Sequence, residues 1–186
     1  MKIMIVAHPD DEIIWFEPVW VDLIIVVFSA RADSEFISKK RAEFIKMHPL
    51  GEKCLFMAMD EIPNQENLKA WERVLEKYIK EYIEKRLNLL IPACAITDVF
   101  THGPMGEYGH PHHILIHDVV KKIFKEKNTV IWAPNLLYAK KGKVLIIRRN
   151  MNLYRELKKL YVHHNIWTWK DEYLPSQYES FYQVVT

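Results

Sequence analysis

Two short stretches of this 186-residue chain concentrate side chains that bind metals and transfer protons. The first lies near the start and places His8, Asp10, Asp11 and Glu12 almost side by side. Three adjacent carboxylates repel one another unless a cation or hydrogen-bond donors compensate them, and a divalent metal is the simplest compensator. An imidazole beside these acids adds a nitrogen ligand. This stretch is therefore a candidate metal site.

The second stretch sets one tyrosine and three histidines among glycines, namely Tyr108, His110, His112 and His113. His110 and His113 are three residues apart at the start of a predicted helix, so both can face one site. His112 is expected to point elsewhere. His117 falls on the same helix face one turn further on, where it is either a partner of a metal ligand or a core histidine. The second stretch can thus complete a ligand set begun by the first.

Both stretches follow apolar runs that predict buried parallel strands, over residues 2–6 and 96–101. In an open α/β sheet the carboxyl ends of parallel strands meet at one edge, where ligands bind. Further strands are predicted over 22–29, 53–57 and 129–133, and helices over 13–20, 34–47, 65–87, 111–127 and 152–162. This alternation predicts an α/β, Rossmann-like fold with a mostly parallel sheet and helices on both faces.

The last third of the chain differs in character from the rest. Segments 136–139 and 144–149 flank a Lys-Lys-Gly-Lys turn and predict a hairpin at the edge of the sheet. Residues from about 163 to 186 form an aromatic tail. Because no repeat or linker interrupts the pattern, residues 1–186 are interpreted as a single domain.

The composition is that of a folded globular protein, with 49% apolar and 27% charged residues. A net charge of +2 gives no reason to expect nucleic acid as a partner. Cys54 and Cys94 lie in apolar surroundings without metal-type spacing. They are interpreted as reduced core thiols, which favours a cytoplasmic protein.

Neither a targeting segment nor a membrane span is expected. The first apolar run stops at His8, which is too early for a signal peptide. The most apolar stretch, 13–30, contains Glu17, Pro18 and Asp22, which a membrane-spanning helix would not readily accommodate.

Residues 7–12 resemble the Ala-His-Pro-Asp-Asp-Glu signature of the LmbE-like (PIG-L) de-N-acetylase family, and residues 106–113 resemble its Gly-His-Pro-x-His loop. The resemblance implies a Rossmann-like fold and zinc-dependent removal of the N-acetyl group from an N-acetylglucosamine-type amino sugar, free or linked to a carrier. This chain departs from the family pattern over 13–21, which is too short for a full first crossover helix and lacks the usual glycine-rich start.

The resemblance also implies a role for each motif residue. It makes His8, Asp11 and His113 the metal ligands, for Zn²⁺ or another divalent ion such as Fe²⁺. Three ligands leave an open coordination position, where a bound water has a pKa near 7. Asp10 is then the general base, while His110 and Tyr108 act on the carbonyl oxygen of the amide.

Four further residues are candidates for supporting roles. Arg31 and Arg41 fall near the end of the second predicted strand or in the helix after it, where they could bind substrate hydroxyls or a phosphate. Glu12 and His117 could orient metal ligands from behind.

Two other functions fit parts of the pattern. Asp10 and Asp11 could hold Mg²⁺ in a phosphate- or nucleotide-binding α/β module, which would give His110 and His113 no role. Alternatively, the chain could be a family member that binds a sugar without catalysing its hydrolysis. Whether the chain is an enzyme or only binds a sugar, its expected partner is a small molecule or glycoconjugate that contains an amino sugar. A homo-oligomer is also compatible with the aromatic tail.

Overall fold

The structure is a computed structural model that describes residues 1–31, 33–62, 65–90, 96–134 and 143–184. The strands in these ranges are β1 (Lys2–Val6), β2 (Leu23–Val26), β3 (Ala30–Arg31), β4 (Cys54–Phe56), β5 (Asp60–Glu61), β6 (Asp98–Thr101), β7 (Val130–Pro134), β8 (Val144–Arg148) and β9 (Tyr178–Gln183). The helices are α1 (Asp11–Ile14), α2 (Glu35–Ile45), α3 (Gln65–Leu90), α4 (Gly106–Gly109, one irregular turn), α5 (Pro111–Phe124) and α6 (Met151–His163), with 3-10 turns at Pro18–Trp20 and Gly51–Lys53.

Seven strands form one sheet in the order β4-β2-β1-β6-β7-β9-β8. The first five strands of this order are parallel, and β9 is antiparallel to both β7 and β8. The strands β3 and β5 form a separate small parallel pair. The predicted α/β fold with a mostly parallel sheet is confirmed, and β1 is the middle one of the five parallel strands.

Alternate residues of β1 enter cores on opposite faces of the sheet. Ile3 and Ile5 belong to the core that includes apolar residues of α3 and α5. Met4 and Val6 belong to a second core that includes Phe16. Because both faces are covered, β1 is apolar and buried at all four positions after Lys2, as expected of a parallel strand inside a sheet. Burial on both faces fixes the register of β1 and therefore the position of His8 beyond its end.

The helix boundaries follow from local chemistry. Ser34 caps α2 by accepting a hydrogen bond from the Ile37 N–H at 3.3 Å. Pro111 occupies the first turn of α5, where its missing N–H is not needed. The four-residue α1 ends at Ile14 and Pro18 begins the following 3-10 turn, so the first crossover contains no long helix, as predicted.

One arm of the predicted edge hairpin is among the described residues. The strand β8 is present, whereas residues 136–139, the other predicted arm, lie outside the described residues. The partner of β8 is β9, from the segment interpreted as an aromatic tail. Phe181 and Tyr182 are consecutive and both buried, because β9 lies inside the sheet and is covered on both faces. A strand of this kind lacks the alternation that marks a half-exposed strand.

Two other expectations concern the cysteines and the membrane. Cys54 is a partly buried free thiol in β4, and Cys94 lies outside the described residues. Among the described residues no helix combines the length and the apolar composition that crossing a membrane requires.

Candidate active site

Three buried side chains converge where β1 and β6 end side by side, and they are the predicted metal ligands His8, Asp11 and His113. His113 Nε2 lies 3.3 Å from His8 Nδ1 and 3.4 Å from Asp11 Oδ1. Asp11 Oδ2 lies 3.3 Å from the same His8 nitrogen. Ligand atoms held tetrahedrally at 2.0–2.1 Å from zinc are about 3.3–3.4 Å apart. The two distances from His113 Nε2, to His8 Nδ1 and to Asp11 Oδ1, therefore match the spacing of ligand atoms in a tetrahedral zinc site.

The hydrogen bonds that these three side chains make to other residues leave one acceptor atom of each side chain facing the other two. His113 Nδ1 donates to Glu107 Oε2 at 2.6 Å, so Nε2 carries the lone pair. With the His8 proton on Nε2, toward His112 Nδ1 at 3.0 Å, the Nδ1 atom of His8 also carries a lone pair. Asp11 Oδ2 accepts the His8 backbone N–H at 2.7 Å, which leaves Oδ1 for a cation. Three converging acceptors with no proton between them are suited to a divalent metal.

His102 and Glu107 support this site, and the sequence interpretation assigned neither of them a role. Glu107 Oε2 also lies 3.0 Å from His102 Nδ1, and Oε1 accepts the Gly103 N–H at 2.8 Å. These contacts outweigh burial and lower the pKa of Glu107 to about 2. Glu107 adopts a positive φ of 56° to make them. The sequence did contain a signal for this role, because Glu107 lies between His102 and His110 in the loop that follows a strand.

His102 also links the two strand ends. Its Nε2 atom accepts the Ala7 N–H at 2.9 Å and lies 3.4 Å from Asp11 Oδ2. Burial lowers the pKa of His102, and the carboxylates of Glu107 and Asp11 raise it, to about 9. Because the Ala7 N–H needs a lone pair on Nε2, the hydrogen-bond geometry favours the neutral ring. Two other groups of side chains have ligand atoms close enough together to hold a metal ion. One is Asp11, His102 and His113, and the other is His8, His110 and His113.

Asp10, the predicted general base, is fully buried in the left-handed backbone region with φ 88°. Its Oδ2 atom accepts both the N–H and the hydroxyl of Thr168, each at 2.8 Å. Its Oδ1 atom is buried and has no hydrogen-bond partner. Burial first, and the Asp11 charge second, raise the pKa of Asp10. A buried carboxyl with one free oxygen and a raised pKa is suited to accept a proton.

His110 and Tyr108 lie on the open side of the ligands. The His110 ring centroid is 4.8 Å from that of His8 and 4.6 Å from that of His113. Burial, followed by the charges of neighbouring histidines, lowers the pKa of His110 to about 3, so its ring is neutral at pH 7. Tyr108 is 53% exposed, and its ring centroid is 5.6 Å from that of His110. Both side chains line a cavity of about 410 Å³ beside the ligands.

The two predicted substrate-binding arginines have different positions. Arg31 lines the cavity, with its guanidinium held by Asp33 at 2.7 and 2.9 Å. Arg41 is only 2% exposed and forms an ion pair with Glu61 at 2.7 Å, behind the cavity wall. Arg41 thus supports Glu61, which does line the cavity, and the prediction that Arg41 contacts substrate is corrected.

His112 was expected to point away from the site, and this is wrong. His112 is buried, stacks on Phe28 with ring centroids 4.4 Å apart, and contacts His8 Nε2. The helix presents its end to the site, so consecutive residues of the first turn both reach it. His112 and His113 contact opposite nitrogens of the same His8 ring.

Glu12 and His117 do not contact the metal-facing nitrogens. Glu12 Oε2 accepts the Asp10 N–H at 3.0 Å, and its Oε1 accepts the Tyr161 hydroxyl at 2.6 Å. Glu12 therefore supports the backbone of the predicted base and not a ligand histidine. His117 Nδ1 donates to the His102 carbonyl at 2.7 Å, so it supports the backbone behind the ligands.

Aromatic side chains form a wall beside the site. Tyr108 packs against Trp15 and Trp169, with ring centroids 5.9 and 5.0 Å away. Trp169 belongs to the segment after α6, which the sequence analysis described only as an aromatic tail. Together with Thr168, Trp169 brings this late segment to the site.

Comparison of the sequence with family models and with curated proteins gives no match. The structure resembles solved deacetylases. These include the A40926 pseudoaglycone deacetylase Dbv21 (TM-score 0.68, 13% identity, 99% of this chain and 96% of that one). They also include a deacetylase of teicoplanin biosynthesis in complex with teicoplanin (0.64, 12%, 98% and 97%) and the zinc-inhibited form of teicoplanin deacetylase Orf2 (0.63, 12%, 100% and 98%).

The alignments extend over nearly the full length of this chain and of those proteins. The fold expected from the resemblance to the LmbE-like family is thus the fold observed. The two motifs that carry the resemblance lie together in it, at one edge of the sheet. The chain has the fold of these deacetylases.

Proposed function

We propose that this chain is an LmbE-like, zinc-dependent deacetylase that removes the N-acetyl group from an N-acetylglucosamine-type amino sugar or its conjugate. One observation carries the proposal. Three metal-binding side chains converge, with His113 Nε2 at the distances from His8 Nδ1 and Asp11 Oδ1 that a tetrahedral zinc site requires, next to a buried carboxyl that has one free oxygen. The shared fold and the deacetylase activity named for the structural neighbours support it.

The residues fit zinc better than magnesium. Two imidazole nitrogens and one carboxylate oxygen form a ligand set that zinc accepts readily, whereas magnesium prefers oxygen ligands and keeps several waters. This argues against the alternative of a magnesium-dependent phosphate-binding module. Orf2, a neighbour in fold, has a zinc-inhibited form, so excess zinc is a condition to avoid in assays.

A zinc ion held by His8, Asp11 and His113 would polarise the amide carbonyl and lower the pKa of a water toward about 7. Asp10 Oδ1 is the free oxygen that takes the proton from the attacking water. Its raised pKa allows Asp10 to keep that proton until the amine leaves. Protonation of the leaving nitrogen by Asp10 then completes hydrolysis.

The cavity residues orient the substrate. His110, neutral at pH 7, and the Tyr108 hydroxyl can donate hydrogen bonds to the amide oxygen as negative charge develops on it. Arg31 and Glu61 offer a donor and an acceptor to sugar hydroxyls on the opposite wall. The aromatic wall supplies apolar surface for the C–H face of a sugar. A cytoplasmic location, Fe²⁺ as an alternative metal and a homo-oligomeric state remain predictions from the sequence.

The test is acetate release from N-acetyl sugars that are free, nucleotide-linked or lipid-linked, with defined zinc below inhibitory excess. His113→Ala is expected to lose both zinc and activity, with His163→Ala as the matched exposed control. Asp10→Asn is expected to retain zinc and lose turnover, with Asp171→Asn as its control. Full zinc occupancy in His113→Ala would refute the ligand assignment. Undiminished turnover in Asp10→Asn would remove Asp10 as the base and favour a different proton acceptor.

A further inference from the structure

Thr168 holds one oxygen of the Asp10 carboxylate at two points. Its backbone N–H and its hydroxyl both donate to Oδ2 at 2.8 Å, across 158 positions of sequence. The other oxygen, Oδ1, is buried without a partner. Because the backbone fixes the Cα and Cβ atoms of Asp10, the position of Oδ2 restricts both side-chain torsions and therefore the position of Oδ1. Thr168 therefore sets where the free oxygen of Asp10 lies.

The backbone of Asp10 is fixed independently of Thr168. Its N–H donates to Glu12 Oε2 at 3.0 Å, and its carbonyl accepts from the N–H groups of Ile13 and Ile14 at 3.1 and 3.0 Å. These contacts hold a left-handed conformation that L-residues rarely adopt. They do not fix the rotation of the side chain. Among the described residues, the hydrogen-bond partner of the carboxylate is Thr168 alone.

The segment that carries Thr168 is anchored on both sides. Before it, the Ile166 N–H donates to the Tyr161 carbonyl at 3.0 Å, and the Ile166 side chain is 3% exposed. After it, Trp169 packs against Trp15 and Tyr108, with ring centroids 5.3 and 5.0 Å away. These anchors hold the Thr168 donors on Asp10 although the residue itself lies at the surface.

We propose that Thr168 is a positioning residue for the general base. The proposal rests on the proposed function, because it gives Asp10 that role. Thr168 holds Oδ2 so that Oδ1 stays aligned toward the water beside the ligands. Misplacement of a reacting group by about 1 Å can reduce a rate about a hundredfold. Loss of the hydroxyl is therefore expected to slow turnover without affecting binding of the substrate or the metal.

The kinetic test compares Thr168→Val with Thr168→Ser. Valine has the shape of threonine and keeps the backbone N–H but lacks the hydroxyl, whereas serine keeps both donors. Because the hydroxyl binds a charged acceptor, we expect kcat to fall about tenfold to a hundredfold in Thr168→Val. Thr168→Ser should stay within about threefold of wild type. KM and zinc content should be unchanged in both, and Thr97→Val, at another exposed threonine, should match wild type.

A second measurement does not depend on activity. Hydrogen exchange of the Thr168 amide should be slow in the wild-type protein and at least about tenfold faster in Asp10→Ala. Asp171→Ala should leave it unchanged.

The outcomes separate this proposal from the proposed function. If wild type releases no acetate from any substrate, the deacetylase function fails, while hydrogen exchange still tests the contact. If wild type is active and Thr168→Val has the same kcat, the positioning role is refuted. An unprotected Thr168 amide in wild type would also refute it.

Discussion

Replacing Glu107 by glutamine should weaken zinc binding although Glu107 is not a predicted ligand. Glu107 is the acceptor for His113 Nδ1 at 2.6 Å, for His102 Nδ1 at 3.0 Å and for the Gly103 N–H at 2.8 Å. A glutamine side chain has one oxygen for these three donors. Its amide NH₂ must then face either the Gly103 N–H or the histidines, so one pairing is lost in each orientation.

The effect of the substitution on His113 determines how much zinc binding is weakened. If the NH₂ faces its ring, the proton of His113 is better placed on Nε2, the atom that should bind zinc. Loss of such a supporting partner typically weakens metal binding about tenfold to a hundredfold. This corresponds to about 1.4–2.7 kcal/mol. His113→Ala, which removes the ligand itself, should lose more.

The assay is competition between the metal-free protein and a chromogenic zinc chelator at pH 7. Glu126→Gln, an exposed substitution of the same type on the loop after α5, is the matched control and should bind zinc as wild type does. A Glu107→Gln protein with wild-type zinc affinity and an unchanged unfolding midpoint would refute the argument that Glu107 sets the tautomer of His113.

Three further predictions test other parts of the structure. Arg41→Met should lower the free energy of unfolding in urea by about 1–3 kcal/mol, because it removes the shorter of the two arginine contacts of the mostly buried Glu61 and leaves only that of Arg31 at 3.6 Å, whereas Lys40→Met, at a half-exposed lysine, should have little effect. Removal of zinc by a chelator should lower the unfolding midpoint, by the equivalent of about 2.7 kcal/mol when zinc had been at 100 times its Kd, and an unchanged midpoint would contradict a zinc site in the folded state. Burial first, and Glu12 second, raise the pKa of the Cys54 thiol, so less thiolate is present at a given pH than in free cysteine. In a Cys94→Ser background its alkylation at pH 8 should be at least about a hundredfold slower than that of free cysteine, and a rate within tenfold would contradict the burial of this thiol.

The parts of the site that follow strand ends could be predicted from the sequence. His8 and Asp11 come shortly after β1, and His113 lies in the first turn of α5, the longer of the two helices between β6 and β7. The apolar strands fix their own register by burial, and the topology brings their ends together. Local sequence therefore contains enough information to predict that these three residues meet.

Residues whose position depends on tertiary packing could not be predicted in the same way. His112 was misjudged because helix periodicity describes the sides of a helix, whereas this helix presents its end to the site. Arginine is a residue type usually found at the surface, and only the fold shows that Glu61 lies against Arg41. Thr168 reaches Asp10 through the path of α6 and the segment after it. No local sequence pattern predicts that contact.

The insertion of β9 between β7 and β8 has a consequence for folding during synthesis. Within the described part of the chain, β8 pairs only with β9, whose paired residues lie 30 to 38 positions later. At about 5–20 residues per second, β8 leaves the ribosome seconds before β9 does. Val144 and Ile146, exposed even in the folded protein, belong to an open strand edge during that interval. Nascent chains paused between these two strands are therefore the species most exposed to edge-to-edge aggregation and to chaperone binding.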